Sequence, residues 1–288
     1  MPLFFAGPIQ SAVAFEVTRF AQEGDGSVNS WILEGDEGVV VIDTQRSLSA
    51  GREIAAILQT IDKPLRAILL THPHPDHFGG MASLMEAFPE TPAYASAETL
   101  DIMRSDANGF IAMTKAVLGS DAPDTQPLPT KTFRDGQELR FGDIVLVVDE
   151  IGRGEAGAMT MFYAPDRNYL FTGDVVDNGM TSFMMEGHTL EWLAQLTEIG
   201  ATYADRDPVI FPGHGADGDM ALFDAQRELI AWLHAEVGAR LSVGLTAADI
   251  DGIAARYERR YPDHPPVAAV PELMKENIRA VTRELQNQ

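Results

Sequence analysis

Four side chains able to bind a metal ion or carry a proton fall within six consecutive positions, as His72-x-His74-x-Asp76-His77, and three of the chain's seven histidines are among them. The apolar run before them, 67–70, reads as a buried strand. In an extended chain alternate side chains share a face, so His72, His74 and Asp76 converge on one side while His77 begins the next turn. Pro73 and Pro75 hold φ near the extended value between the donors and offer no N–H of their own, which stiffens the loop before any metal arrives. The chain has no cysteine, so a metal here must be held by nitrogen and oxygen.

Such a loop must be brought to the mouth of a rigid sheet. Short strands at 12–19, 29–34 and 38–42, with glycine-rich turns between them, predict an antiparallel meander. A helix capped by Ser47 or Ser49, with Ile54, Ile57 and Leu58 on one face, then leads to the strand at 65–70. Met81, Leu84, Met85 and Phe88 recur at helical spacing, which puts His77 near that helix's N-terminus. After a short strand at 93–95 come helices at 96–103 and 110–118. A Pro- and Asp-rich linker at 121–130 follows and is expected at the entrance to the site. Strands at 131–133, 138–141, 144–148, 160–163 and 169–172 predict a second meander. A helix over 189–199 and a strand at 209–211 complete the pattern of two facing sheets covered by helices. The rest is helical: 221–241, 247–257 capped by Thr246, and a last helix opened by Pro271.

Further candidate donors stand at other strand ends: Asp43, Glu155, Asp174 and His214, each beside a glycine or a turn. Taken in order, His72-x-His74-x-Asp76-His77, Leu170-Phe171-Thr172-Gly173-Asp174 and Pro212-Gly213-His214-Gly215 resemble the signature of the metallo-β-lactamase superfamily, over roughly 12–215. The resemblance implies an α+β fold, a four-layer αβ/βα sandwich with a two-metal site at one edge of the paired sheets. It implies that the first metal takes His72 and His74 and the second takes Asp76, His77 and His214. Asp174 would bridge the two, and Asp43 would orient a ligand histidine from behind. Where many members carry a histidine between the two meanders, this chain reads Gly152-Arg153-Gly154-Glu155-Ala156-Gly157. That segment is similar to the one in alkylsulfatase relatives whose ligand is glutamate, so Glu155 is assigned to the first metal; the alternative is a solvated turn residue. Two divalent ions are expected, zinc first, with manganese or iron as alternatives. Residues 1–217 are expected to form the catalytic domain, with 218–288 a helical extension packed on it.

The implied activity is hydrolysis of a small ester, thioester, lactone, lactam or sulfate ester by a hydroxide shared between the metals, with Asp76 as ligand and catalytic orienter. A Met- and Phe-rich stretch at 179–186 is a candidate floor for an acyl or alkyl pocket, with Phe183, Met184 and His188 as the substrate contacts. Competing readings are an iron oxidoreductase resembling persulfide dioxygenases and a non-catalytic metal-binding member. His234 and His264 are expected at the surface. The 43 acidic and 21 basic side chains leave a formal charge of −22, which repels polyanions and argues against nucleic acid as a partner. No apolar run approaches the roughly 18 residues of a membrane span. The start lacks the basic and apolar regions of a secretory signal, so the expectation is a small-molecule enzyme of the cytoplasm.

Overall fold

The computed structural model describes residues 15–24 and 26–288; the readings of 12–14 as strand and of the start as no signal lie outside them. Six strands form the first sheet: β1 (Glu16–Phe20), β2 (Ser30–Glu34), β3 (Val39–Ile42), β4 (Leu65–Leu69), β5 (Ala93–Ser96) and β6 (Lys131–Phe133), in that spatial order. β1 to β3 pair antiparallel, and β3 to β6 run parallel. The second sheet has the order β11-β10-β9-β8-β7, from β7 (Glu138–Phe141), β8 (Ile144–Gly152), β9 (Met159–Ala164), β10 (Tyr169–Gly173) and β11 (Val209–Pro212). Its pairs are antiparallel except β10 with β11. The helices are α1 (Leu48–Thr60), α2 (Pro75–Phe78), α3 (Met81–Ala87), α4 (Ala97–Ser105), α5 (Phe110–Leu118), α6 (Thr189–Tyr203), α7 (Ala221–Gly238), α8 (Ala247–Arg260) and α9 (Leu273–Gln286).

Both faces of each sheet are covered, and this is why β3 and β4 are apolar at nearly every position rather than at alternate ones. Val40 and Ile42 of β3 and Ala67 and Leu69 of β4 pack between the sheets with Leu146, Phe162, Phe171 and Phe211. Their neighbours Val39, Val41 and Ile68 pack instead with Ile54 and Leu58 of α1 and Met81 and Leu84 of α3. On the far side Met161, Leu170 and Ile210 pack with Trp192 and Leu196 of α6, Ile230 and Leu233 of α7, Tyr257 of α8 and Ile278 of α9. The result is the expected four-layer αβ/βα sandwich, with the C-terminal helices sharing the outer cluster of the second sheet. Among the described residues no helix is long and apolar enough to cross a membrane.

The structure corrects several local readings. The strand at 131–133 does not begin the second meander; as β6 it closes the first sheet, parallel to β5, because α4 and α5 carry the chain across and back in the crossover that parallel pairing requires. His77 lies inside its own one-turn helix, α2, which opens on Pro75 in the first turn, where the missing N–H costs nothing. Pro271 precedes the last helix without entering it: α9 begins at Leu273 after Glu272, whose φ of 54° is left-handed. α7 stops at Gly238, short of the expected 241. His234 and His264 are part-buried rather than surface residues, bonded to Thr189 Oγ1 and Met180 O.

Candidate metal centre

One edge of the sandwich collects the ends of five strands, and each delivers a donor. Asp43 follows β3, His72 to His77 follow β4, Glu155 lies in the β8–β9 turn, Asp174 follows β10, and His214 follows β11. The loop after β4 is held in place by the chain after β3. Thr44 N–H and Oγ1–H both donate to His77 O, at 2.6 and 3.0 Å, and Gly80 N–H donates to Gln45 O at 2.9 Å. A Cβ on Gly213 would collide with Asp174 Oδ1, so glycine before His214 lets the two donor loops approach this closely.

His72, His74 and Glu155 offer ligand atoms within 4.8 Å of one another, and so do Asp76, His77 and His214. Asp174 stands between the two groups. Its Oδ1 is 3.2 Å from His77 Nε2, and its Oδ2 is 3.2 Å from His214 Nε2 and 3.8 Å from His72 Nε2. Glu155 Oε2 lies 3.0 Å from His74 Nδ1 and 3.6 Å from His72 Nε2. Several of these separations are of hydrogen-bond length, yet the atoms do not meet in hydrogen-bond geometry, and His72 Nε2, His77 Nε2, His214 Nε2, Glu155 Oε2 and Asp174 Oδ1 are all buried without a partner. A single buried polar atom left unsatisfied costs about 1–3 kcal/mol, so five converging on one small volume are tolerable only with a ligand there. Imidazole nitrogens and carboxylate oxygens are the donors that divalent cations such as zinc take, and these residues fit such ions.

The opposite nitrogen of each ring is already committed, which aims the free one. His77 Nδ1–H donates to Asp43 Oδ2 at 2.8 Å, His214 Nδ1–H to Ser27 O at 2.6 Å and His74 Nε2–H to Glu186 Oε1 at 2.9 Å. Thr71 Oγ1–H donates to Asp43 Oδ2 at 2.7 Å, so its oxygen is left to accept from His72 Nδ1–H at 2.9 Å. Asp43, left-handed at φ 57° and 2 % exposed, thus orients two of the histidines, one directly and one through Thr71.

Charge in the cluster follows from burial and close carboxylates. Burial opposes a charged His77, but Asp174, Asp43 and Asp76 outweigh it and raise its pKa to about 10. Burial pushes Glu155 up to about 8, and the same carboxylate holds His74 well above the usual imidazole range despite that ring's own burial. Asp76 is held well below the carboxylate range: burial works against this, and His77, His214 and Arg46 prevail. The Arg46 guanidinium lies 3.5 Å from Asp76 Oδ2.

A cleft opens over the cluster, lined by His74, Asp76, Glu155 and Asp174 on one side and by Phe110, Met113 and Val117 of α5 on the other. Phe183 lines it too, with its ring centroid 5.2 Å from that of His74. Met184 does not; it is buried in the outer cluster of the second sheet, on the opposite side of the chain from Phe183, and its reading as a substrate contact is corrected. His188 is not in the lining either: its Nε2 stands 4.0 Å from Glu186 Oε2, behind His74. The linker at 121–130 is not what roofs the mouth. Its Asp121 is turned onto α1, accepting from Ser49 N–H at 2.8 Å and Ser49 Oγ–H at 2.5 Å, and the roof is α5 with the segment 267–270. Glu186, Arg46 and Asp177 escape a sequence reading, since each reaches the cluster only through tertiary folding. Asp177 is buried beside Asp174 and His214, and burial, then Asp174, raises its pKa to about 7.

A family model described as the metallo-beta-lactamase superfamily matches residues 24–214. The chain is 26% identical over 261 residues to a linear primary-alkylsulfatase of Pseudomonas sp., covering 76% of this chain and 48% of that protein. It is 28% identical over 177 residues to a hydroxyacylglutathione hydrolase of Vibrio parahaemolyticus, covering 59% and 56%. It is 30% identical over 190 residues to the acyl-coenzyme A thioesterase MBLAC2 of Bos taurus, covering 61% and 64%. The chain thus spans about half the length of the curated relatives it matches. Among solved structures, a metallo-beta-lactamase from Pontibacter korlensis superposes with a TM-score of 0.57 at 22% identity, covering 75% of this chain and 99% of that one. The DIM-1 metallo-beta-lactamase superposes at 0.60 and 18%, covering 76% and 97%; at such identities the likeness is one of fold.

Proposed function

Because the chain belongs to the metallo-β-lactamase superfamily, we propose that it is a metal-dependent hydrolase working with two divalent cations on an ester or thioester that carries an apolar chain. The observation that carries this reading is the set of five unpartnered buried donors, with Asp174 addressing both groups at once. His72, His74 and Glu155 would hold one cation, and Asp76, His77 and His214 the other. When bound, two such ions lower the pKa of water to about 7 and polarise the scissile bond. Glu155 in place of a third imidazole adds negative charge to the first position. Zinc is the first choice there, and manganese or iron is admitted.

The chain's own residues would do the rest. Asp76 faces the cleft, ionised beside Arg46, and is suited to orient the attacking water by accepting its hydrogen bond. Asp43 and Glu186 keep the histidines aimed. Phe110, Met113 and Val117 would bind the apolar part of the substrate and exclude water from the reacting bond. Arg46 is the cation in the cleft lining among the described residues. Its Nη2 is held by Gly26 O at 2.6 Å and Val267 O at 3.2 Å, and its charge is balanced by Asp76, which favours an uncharged carboxylic ester over a sulfate. An aliphatic chain is common to the alkyl and acyl groups in the names of two of the relatives. The helices after residue 217 are read as an extension of the catalytic domain.

The test is hydrolysis of p-nitrophenyl esters from acetate to decanoate, before and after chelation. The expected result is turnover that disappears on chelation, returns with zinc or manganese, and rises in kcat/KM at least tenfold from acetate to octanoate. Turnover that survives complete removal of metal would refute the metal-dependent reading.

A further inference from the structure

Asp177 lies in the loop that leaves β10, three residues past Asp174, and nothing proposed above uses it. Its side chain is 6 % exposed, and neither of its carboxylate oxygens has a hydrogen-bond partner. Ser182 exerts only a minor pull on the carboxylate, because its hydroxyl is bonded to Gln226, at 3.0 and 3.2 Å, and Gln226 Oε1 also accepts from the backbone N–H of Asp177 at 3.4 Å. A carboxylate left in that state is costly unless a cation compensates it. One of its oxygens lies with ligand atoms of Asp174 and His214, all within 4.8 Å of one another. Asp177 does not line the cleft, so it reaches those two residues from the protein interior.

We propose that Asp177 is a further carboxylate donor to the cation held by Asp76, His77, Asp174 and His214, entering on the side away from the substrate. This rests on the two-cation reading above and adds to it a difference between the two positions. The first has two imidazoles, Glu155 and a share of Asp174, a set suited to four-coordinate zinc. The second gathers three carboxylates and two imidazoles, an oxygen-rich set that suits cations accepting more ligands, such as manganese(II) or iron(II). Asp177 also gives that position a donor independent of the bridging Asp174, so the second cation does not depend on Asp174 alone for its carboxylate charge.

The experiment compares the full wild-type chain with Asp177→Asn and Asp177→Ala. It titrates manganese(II) into metal-free protein, following free manganese by electron paramagnetic resonance, and records melting of each protein without metal and at saturation. The expected result is at least a tenfold loss of manganese affinity at one of two positions, with the other unchanged, in both variants. Metal-free Asp177→Asn should melt no lower than wild type, since an unpaired buried charge is gone, while its rise in melting temperature on metal binding shrinks. Two positions in wild type with unchanged affinities in the variants would overturn the role of Asp177 and leave the two-cation reading intact. Equal destabilisation of metal-free and saturated variants would make Asp177 a structural residue. Wild-type protein that binds fewer than two manganese ions would overturn both.

Discussion

At the floor of the cleft, His72, His77 and His214 are fully buried and Glu155 and Asp174 are 1 % exposed, whereas in the roof α5 has no buried residue and Val117 is 61 % exposed. The floor residues stand at the ends of strands whose register two packed sheets determine, and each ring is held from behind by a second bond. The roof is a nine-residue helix tied down by little of its own surface. The contrast separates two tasks. On the proposed function, chemistry is attached to the part of the fold that cannot move without unfolding the sandwich, and selection among substrates is left to a part that can change at small cost to stability. It also accounts for a family likeness that follows the strand-end donors, while the names of the relatives differ in substrate.

The comparison breaks most visibly with pH, because the floor is charged and the roof is not. In metal-free protein Glu155 keeps its proton up to about pH 8. A cation at the first position must displace that proton and any that the same carboxylate holds on His74, so its apparent affinity should fall at least about tenfold for each pH unit below 8, or at least about a hundredfold by pH 6. The stability of the metal-free protein runs the other way. The pKa of Glu155 is raised on folding from an ordinary 4.5, so the stability it lends is complete below 4.5 and is lost as the pH rises through about 8. Calorimetric titration with zinc across this range, with melting curves of the metal-free protein, checks both directions.

A smaller effect is expected in the roof. Val117→Asp puts a charge on the apolar wall of the cleft at an exposed position, so it should leave cation binding intact and change stability by no more than about 0.5 kcal/mol. The ratio of kcat/KM for octanoate to that for acetate should fall about fivefold, about what losing part of an apolar contact costs. An unchanged ratio would detach α5 from substrate binding and end the division of labour between floor and roof.

What could be read from the sequence follows the same division. The donors of 72–77 are legible because they are neighbours in the chain, and Asp174 and His214 because each closes a short apolar strand beside a glycine. Glu186, Arg46 and Asp177 are not, since an isolated carboxylate or guanidinium carries no mark of the distant segment it will meet. Periodicity identified 131–133 as a strand but could not say which sheet would receive it, because pairing depends on where the crossover through α4 and α5 returns. Phe183 and Met184 are adjacent and similar in character, and only the direction of the backbone sends one into the cleft and the other into the core. Likewise, the proline-rich composition of 121–130 suggested an exposed mouth, and it could not reveal that Asp121 would bond to Ser49 at the start of α1.

In the proposed two-cation centre Asp174 joins the two groups of donors. Isothermal titration of zinc into the metal-free full chain, wild type beside Asp174→Ala, tests it most directly. Two cations per wild-type chain are expected and, in the variant, no more than one, with turnover reduced beyond the roughly 10–100-fold that loss of an outer supporting residue costs. Saturation of the wild type at a single cation, with binding unaltered in Asp174→Ala, would contradict it.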